Sequence, residues 1–444
     1  MTTNTNRRDF LKQVCAVGAA GVASHFTRLG MVTAHAQAAA DYKALVCVFL
    51  FGGNDANNMV VPLDGRYAQY SAMRGSVALA ANSLRPVGAT GYGLHPALGG
   101  VQQICNEQRG AMVFNVGTLV RPTTKATLGS TPLPRNLYSH SDQTQQWQSS
   151  DPTGGATGWG GRVNEVLAGV NTGPLPPGIT VSGGNALFLA GANTQGLNLS
   201  NVQSLGFQTF GDDVVSRARL TALQRLLTFD TGLRLVGAAN GVLEGAVDAA
   251  QEINAALAGA PPLPVAFPTS GIGRQLAQVA QLLAVRGTLG MNRQIFFAGM
   301  GGFDNHEELL ANHQGLMATL DAAIAAFMAT LDLWGLSNQV TLFTESEFNR
   351  TADANATIGT DHAWGGTQLV LGGAVQGGTY GTFPTLQLRG PDDAGDRGYW
   401  IPTISLDQYA ATLGRWFGVP DASLDAIFPN LGNFAPRTLG FLQS

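Results

Sequence analysis

Mostly apolar segments of strand length recur along this chain, and the first of them is apolar at every position. Residues 44–51 (ALVCVFLF) form the first run, and 111–117 (AMVFNVG), 294–300 (QIFFAGM) and 339–348 (QVTLFTESEF) form later ones. A strand that is apolar on both faces is typical of a parallel sheet with helices on both sides. Because helical patterns alternate with these runs, the sequence predicts an α/β fold with a doubly wound, mostly parallel sheet.

The mature chain is predicted to form a single domain. A protein of 444 residues can bury a large core as one domain or as two. A helical pattern from about 213 to 258, followed by the proline-rich stretch 261–268, indicates a helical insertion over about 195–270. We therefore expect one α/β domain over residues 41–444 that carries this insertion.

The first 36 residues have the pattern of a removable export signal. A polar start precedes the pair Arg7-Arg8, and an A-x-A cleavage site ends at Ala36. The apolar stretch between them is shorter than the roughly 20 residues that a bilayer-spanning helix needs. The order Arg-Arg-Asp-Phe-Leu-Lys resembles twin-arginine signals, whose route exports folded proteins. We expect cleavage of 1–36, export by the twin-arginine machinery to the periplasm or the exterior, and no transmembrane anchor.

Composition argues against two classes of function. The net charge is −4 and no run of Lys or Arg is present, so nucleic acid is not an expected partner. Cys47 lies within the first apolar run and Cys105 within a predicted helix, where both are interpreted as small buried apolar residues. Neither has a His or a second Cys at ligand spacing, so a thiolate metal site is not expected.

Polar side chains collect directly after the apolar runs. Asp55 follows the first run, Asp304 and His306 follow the third, and Asp361-His362 lies in the glycine-rich segment GTDHAWGG. Ligands of open α/β sheets bind outside the carboxyl ends of the strands. Carboxylates with imidazoles suit zinc, manganese or iron, and an all-oxygen set suits calcium. The sequence therefore predicts a site for one or two divalent ions, two being able to clamp both oxygens of a displacement.

Each of these motifs also fits a simpler structural role. Asp and Asn frequently cap helices and form turns. Asp55 follows Gly52-Gly53-Asn54, which is an ordinary turn composition. The recurrence of such residues at three strand ends favours the metal site, with the glycines allowing close approach of the backbone.

The chain resembles a known family, the twin-arginine-exported domain of unknown function 1501, which is placed in the alkaline phosphatase and sulfatase superfamily. The matching segments are FGGNDANNMVVPLD, YSHSDQTQQWQS, GGFDNHEEL, SEFNRT and GTDHAWGGTQLVLGGAVQGGTYG, in family order from about 44 to 420. The resemblance implies an alkaline phosphatase-like fold and metal ligation by Asp55, Asp304, His306, Asp361 and His362. It also implies a hydrolase of phosphate or sulfate esters, acting on a small-molecule or polysaccharide ester.

Two departures from the superfamily pattern bear on the expected site. No histidine follows His362, so the usual last histidine ligand is missing, and His140 is the candidate to replace it. No residue cleanly matches the superfamily's nucleophile. Ser141 is the candidate, because it lies at the predicted start of a helix, where the dipole favours an anion. Ser141 also fits a helix N-cap, and Ser139 and Thr118 are alternative nucleophiles.

Three further residues are expected to support the ligands. Glu347 and Arg350, in ESEFNR, are expected to pair with each other and to orient the Asp361 loop, with direct ligation by a glutamate as an alternative. Asn54 is also expected to support the metal ligands. His95 is interpreted as a loop or capping residue, and His313 as a residue of a helix surface.

Two functions follow from these expectations. The first is an exported metal-dependent hydrolase of phosphate or sulfate esters. The second is an exported, non-catalytic binding or structural protein on the same fold, which the missing histidine and the uncertain nucleophile favour.

Overall fold

The structure, a computed structural model, describes residues 42–184, 186–199, 213–228 and 232–443. The predicted export signal, 1–36, and part of the predicted insertion lie outside the described residues. The strands are β1 Lys43–Leu50, β2 Val60–Pro62, β3 Arg85–Pro86, β4 Tyr92–Leu94, β5 Gly110–Gly117, β6 Gly178–Thr180, β7 Leu197–Asn198, β8 Arg293–Met300, β9 Val340–Glu345, β10 Gly366–Leu371, β11 Gly378–Tyr380 and β12 Ile404–Ser405. The helices are α1 Ala56–Met59, α2 Tyr67–Arg74, α3 Gly99–Asn106, α4 His140–Ser149, α5 Trp159–Val166, α6 Val214–Leu227, α7 Arg234–Ala258, α8 Gly271–Ala284, α9 Leu309–Leu333, α10 Leu406–Phe417 and α11 Leu424–Ile427.

The described strands form one large sheet and one small one. The large sheet has the order β11-β5-β10-β9-β1-β8-β6-β7, and β12 also pairs with β5. In this sheet β10 runs antiparallel to β5 and β9, and the other paired strands are parallel. The small sheet has the order β2-β4-β3. The prediction of a mostly parallel α/β sheet is confirmed.

The central strand β1 shows why the apolar runs form buried strands. Its side chains alternate between the two faces of the sheet. Val46 and Val48 lie in the core formed with α3, α8 and α9, and Leu45 and Cys47 lie in the core formed with α5 and α10. Both faces are therefore covered by helices, as predicted. Cys47 and Cys105 are free and buried, which agrees with their interpretation as small apolar residues.

Helix α9 is long and apolar because it is a core helix. Its 25 residues could cross a membrane by length and composition alone, but half of its most apolar window is buried within the molecule. Leu320, Ile324 and Phe327 lie in the core beside β1. Their spacing of three and four residues places them on one side of the helix.

The direction of β10 determines which loops meet at one edge of the sheet. Because β10 is antiparallel to β9, the segment before it lies at the edge where β1, β8 and β9 end. Gly52, after β1, lies against the loop after β8: an added Cβ would lie 2.5 Å from the backbone nitrogen of Asp304, and its φ is +115°. The fold thus gathers the loops 51–55, 301–306, 346–350 and 359–365.

Candidate metal centre

Three imidazole rings and one carboxylate meet at this edge of the sheet. The Nε2 atom of His362 lies 3.1 Å from Nε2 of His140 and 3.1 Å from Nε2 of His306. One oxygen of Asp304 lies 2.9 Å from Nε2 of His306 and 3.1 Å from Nε2 of His362. Its other oxygen lies 3.3 Å from Nε2 of His140. The structure therefore brings together four of the six predicted ligands, from three separate segments of the chain.

The opposite nitrogen of each ring is held by a fixed oxygen. The three Nδ1 contacts are Glu347 Oε1 at 2.8 Å from His140, Asp361 Oδ1 at 3.0 Å from His306, and the backbone oxygen of Tyr138 at 2.8 Å from His362. Carboxylate and carbonyl oxygens accept hydrogen bonds, so each Nδ1 carries the proton. In a neutral ring the Nε2 atom then presents a lone pair.

This arrangement of lone pairs needs a cation at its centre. Two Nε2 lone pairs at 3.1 Å repel each other unless a proton or a metal ion lies between them. The ligand atoms of His140, Asp304 and His362 all lie within 4.8 Å of one another. Three imidazole nitrogens and a carboxylate suit zinc, manganese or iron better than calcium, which prefers an all-oxygen set. The residues present fit a divalent metal of this kind.

Neighbouring charges keep Asp304 ionised. Its partial burial acts to raise the pKa of the carboxyl, but the hydrogen bond and charge of Arg350, together with the nearby histidines, lower the pKa below its usual value. For His140, the hydrogen bond from Nδ1 to Glu347 raises the pKa of the ring. For His362, partial burial lowers the pKa. An ionised carboxylate beside imidazoles is the electrostatic condition that a divalent ligand set requires.

Arg350 ties the surrounding loops together and does not reach solvent. Its Nη1 donates to Asp304 Oδ1 at 2.6 Å and to the backbone oxygen of Gly52 at 3.2 Å, and its Nη2 donates to the backbone oxygen of Thr360. The expected Glu347–Arg350 pair is not among the described contacts, so that expectation was wrong. Glu347 instead accepts from the backbone N–H of Gly52 at 2.7 Å and from His140.

Asp55 lies outside this cluster, and its predicted role as a ligand is corrected. One carboxylate oxygen forms an ion pair with Arg74, and both side chains are almost completely buried. The other oxygen accepts the backbone N–H of Asn58 at 3.2 Å and so caps the start of α1. Because both oxygens have partners, the carboxylate is committed to a structural contact.

Asp361 holds a ligand and does not itself face the common point. Its Oδ1 atom accepts from Nδ1 of His306 and from Asn355 at 3.2 Å, and its Oδ2 atom accepts from Arg397. The predicted role of Asp361 as a metal ligand is therefore corrected to orientation of His306. The role of Arg397 in this chain of contacts was missed, since it lies 36 residues from Asp361.

Asn54 and His313 form a buried hydrogen bond with each other. Nε2 of His313 lies 3.0 Å from Oδ1 of Asn54, and the ring of His95 meets His313 edge to face at 5.1 Å. Asn54 makes no described contact with the four ligand side chains, so its expected support of the site is not seen. His313 is buried, and its interpretation as a helix-surface residue was wrong. Nδ1 of His95 accepts the N–H of Ala97, which agrees with a capping role.

The candidate nucleophiles do not touch the ligand set in the described part of the chain. Ser141 is exposed and its hydroxyl contacts the hydroxyl of Ser139 at 3.2 Å. Ser139 caps α4 through the backbone N–H of Asp142. Thr118 is buried and accepts from Gln143 at 3.4 Å. These contacts assign all three hydroxyls to the start of α4 and its packing.

Comparison with solved structures shows likeness at low identity. The chain is similar to the PsFucS1 sulfatase from Pseudoalteromonas sp., with 11% identity, a TM-score of 0.36, and coverage of 89% of this chain and 72% of the sulfatase. It is also similar to a Bacteroides thetaiotaomicron structure from a core genetic locus for metabolism of multiple glycosaminoglycans, with 12% identity, a TM-score of 0.33, and coverage of 86% and 74%. A mutant of the alkaline phosphatase PafA has 12% identity, a TM-score of 0.24, and coverage of 71% and 64%. All three TM-scores lie below 0.5, so the assignment of the metal centre rests on the side-chain geometry.

Comparison of the sequence identifies a family. No curated protein matches the sequence. The model of a family described as a protein of unknown function, DUF1501, matches residues 42–419. This match runs from just before β1 to just after α10 and includes every segment of the metal centre. The chain therefore belongs to the DUF1501 family.

Proposed function

We propose that this protein is a hydrolase of phosphate or sulfate esters that depends on one divalent metal ion. The observation that carries the proposal is the convergence of three Nε2 atoms and the Asp304 carboxylate, with every Nδ1 atom held by an oxygen. Such a ligand set is preorganised for the ion, because the Nδ1 atom of each ring is already held by a hydrogen bond.

The chain's own groups would hold the ion and attract an anionic substrate. His140, His306, His362 and Asp304 would ligate the ion, which when bound would act as a Lewis acid toward an ester oxygen and make water a better nucleophile. His140 is the first residue of α4, so the positive end of that helix lies beside the ligands. This position favours a phosphate or sulfate group over a neutral one.

Arginine side chains around the centre are already engaged with protein groups. Arg350 is fully buried and binds Asp304, and Arg397 binds Asp361. We therefore assign both arginines to the support of the ligands. The charge that would bind an anionic ester comes from the ion and from the start of α4.

One observation favours the second function, a non-catalytic binding protein on the same fold. No side-chain hydroxyl among the described residues hydrogen-bonds to a ligand side chain. Thr357 donates only to the backbone oxygen of His306, and the Ser141 hydroxyl contacts that of Ser139. A protein that only binds a metal or an anionic polymer would not need a nucleophile. A hydrolase with this centre would depend on water, so activity measurements separate the two functions.

The test combines metal content with turnover. Purified protein is expected to contain a stoichiometric transition metal and to hydrolyse an aryl phosphate or an aryl sulfate. His362→Ala and Asp304→Ala should remove both properties, and Asp425→Ala, an exposed carboxylate paired with Arg437, serves as the matched control. Metal binding without turnover of either ester would support the binding protein. Absence of bound metal would contradict the hydrolase and would leave the binding protein only with a metal-free ligand, such as an anionic polymer.

We also propose that the folded chain leaves the cytoplasm by the twin-arginine route. The support is the Arg7-Arg8 pair with the short apolar stretch and the cleavage site that follow it. Replacement of both arginines by lysine should retain the precursor inside the cell. Cell fractionation that finds this variant processed and exported as before would contradict the proposal.

A further inference from the structure

Helices α6 and α7, which we call the helical arm, expose an unusual amount of apolar surface. Of the eight large apolar side chains that are exposed in the described residues, four lie on this arm: Val214, Val215, Leu226 and Val242. Val214 is 75% exposed and Val242 is 76% exposed. In α6 the buried residues are only Ser216 and Leu227. A helix of 14 residues is marginal on its own and normally needs a packed face. Helix α6 contacts α7 in the same chain, but among the described residues it still lacks most of the cover that its length requires.

Three glycines in α7 indicate that a second helix packs against the arm. Gly237, Gly241 and Gly245 repeat every four residues, which places them along one side of the helix. A Cβ added at any of them would meet nothing within 4 Å. Glycine inside a helix lowers helix stability, and packing among the described residues does not require these three. A row of small residues allows a second helix to approach closely.

The charges of the arm are divided between its two helices. The charged side chains of α6 are Arg217, Arg219 and Arg225, and the described ones of α7 are Glu244, Asp248 and Glu252. All six are exposed. The ion pairs within the described part of the chain are formed by other residues.

The spacing of these charges is complementary. Arg217 and Arg225 are eight residues apart, as are Glu244 and Glu252, which is about 12 Å along a helix in each case. Glu244 lies three positions after Gly241, and Asp248 lies three positions after Gly245. Glu252 lies four positions after Asp248, so the acidic residues continue along the same side of the helix as the glycines. On α6, a shallow groove is lined by small residues beside an arginine and a leucine: Ala218, Thr221, Ala222, Arg225 and Leu226.

From these observations we propose that the protein forms a dimer through the helical arm, with α6 of each copy packed on the glycine and acidic side of α7 in the other. A second copy of this chain would present both the arginine row of α6 and the acidic row of α7, each at the spacing that its partner helix requires. The two contacts are equivalent and related by a two-fold axis, so the assembly is a closed dimer and not a filament. An anionic membrane would attract α6 but would repel the acidic side of α7.

Charge reversal with rescue by mixing tests this dimer. Sedimentation velocity of the purified wild-type protein should show a dimer that weakens with added salt. Arg217→Glu/Arg225→Glu places acidic residues on both helices, and Glu244→Arg/Glu252→Arg places basic residues on both, so each variant alone should be monomeric. A one-to-one mixture of the two variants should restore the dimer, which shows that both variants are folded. Arg415→Glu, at an exposed arginine on α10, should leave the dimer intact.

A substitution at the glycine row gives a second, independent readout. Gly241→Leu meets open space in this chain and removes a helix-destabilising residue, so the thermal midpoint should stay the same or rise while the dimer is lost. The proposal is overturned if the wild-type protein is monomeric at every concentration, if both charge-reversed variants remain dimeric, or if Gly241→Leu leaves the dimer unchanged. A monomeric wild type that floats with anionic vesicles would also overturn it and would identify a membrane as the occupant.

Discussion

Glu347 accepts a hydrogen bond from Nδ1 of His140 at 2.8 Å, and this contact turns Nε2 of His140 toward His362 and Asp304. Glu347 is buried and is itself fixed by the backbone N–H of Gly52. The glutamate thus determines which nitrogen of His140 faces the metal centre. Loss of such a supporting carboxylate typically lowers metal affinity by about 10-fold to 100-fold.

Glu347→Ala is therefore expected to weaken metal binding within this range, because the His140 ring loses its orientation. Glu347→Gln, which keeps an acceptor but no charge, should have a smaller effect. Calorimetric titration of the metal-free protein with zinc measures both. Glu107→Ala, an exposed glutamate beside Arg109, is the control and should bind zinc as the wild type does. Equal affinity in Glu347→Ala and the control would show that Glu347 does not position the ligand.

The buried ion pair of Asp55 with Arg74 should matter for stability and not for metal content. Removing one partner of a buried pair leaves an uncompensated charge and typically costs about 3–5 kcal/mol. Arg74→Met and Asp55→Ala are expected to lower the free energy of unfolding by about this amount, measured by urea denaturation. Asp64→Ala, in an exposed pair with Arg66, should lower it by less than about 1 kcal/mol. Folded Asp55→Ala should retain its metal, and loss of the metal without loss of stability would restore Asp55 as a ligand.

Stability should fall in acid because His95 and His313 are buried as neutral rings. Burial lowers the pKa of His95 to about 3, with a contribution from the charge of His313, and burial lowers the pKa of His313 to about 4. In the unfolded chain both pKa values return to about 6.5. Below pH 6.5 the unfolded state therefore binds protons that the folded state does not, and stability is lost as the pH falls from about 6.5 toward 4.

At pH 5 this loss is about 2 kcal/mol for each histidine relative to pH 7. Urea denaturation of the wild type and of His313→Gln at the two pH values measures it, and the variant should lose about half as much as the wild type. The Gln side chain keeps an amide N–H that can donate to Asn54 in place of the His313 ring. An identical pH dependence in both proteins would mean that His313 takes up its proton without unfolding.

Ser141→Ala should leave metal content and ester hydrolysis within about two-fold of the wild type, since the Ser141 hydroxyl is exposed and contacts only Ser139 among the described side chains. Steady-state kinetics on an aryl phosphate and an aryl sulfate measure the effect. Ser76→Ala, at a serine that is exposed like Ser141, is a matched control for the loss of a hydroxyl. A loss of hydrolysis in Ser141→Ala alone, with the metal retained, would assign the nucleophile to Ser141.

The sheet could be predicted from the sequence because its signal is local. The run around Val46 is apolar at every position, and only a strand covered on both faces requires this. A second local pattern, polar residues directly after apolar runs, predicted that Asp304, His306 and His362 lie at one edge of the sheet. It could also name His140 as a replacement ligand, since few histidines were left to choose from.

The partners of those side chains could not be predicted, because they depend on tertiary contacts. Asp55 pairs with Arg74 from α2, and nothing in the pattern of α2 distinguishes this arginine from a surface residue. The oxygen that fixes His362 belongs to the backbone of Tyr138, which has no sequence signature. These partners decide which carboxylates remain available for a metal, so Asp55 and Asp361 were assigned as ligands from sequence and are structural in the fold.

Metal analysis of the purified protein decides whether His140, His306, His362 and Asp304 hold a divalent ion. After dialysis against metal-free buffer, elemental analysis by mass spectrometry should find one transition-metal ion per wild-type chain and none in His362→Ala, with Asp425→Ala unchanged. A wild-type chain without metal that also fails to take up zinc or cobalt would show that these four side chains do not form a metal centre. So would a His362→Ala variant that retains the full complement.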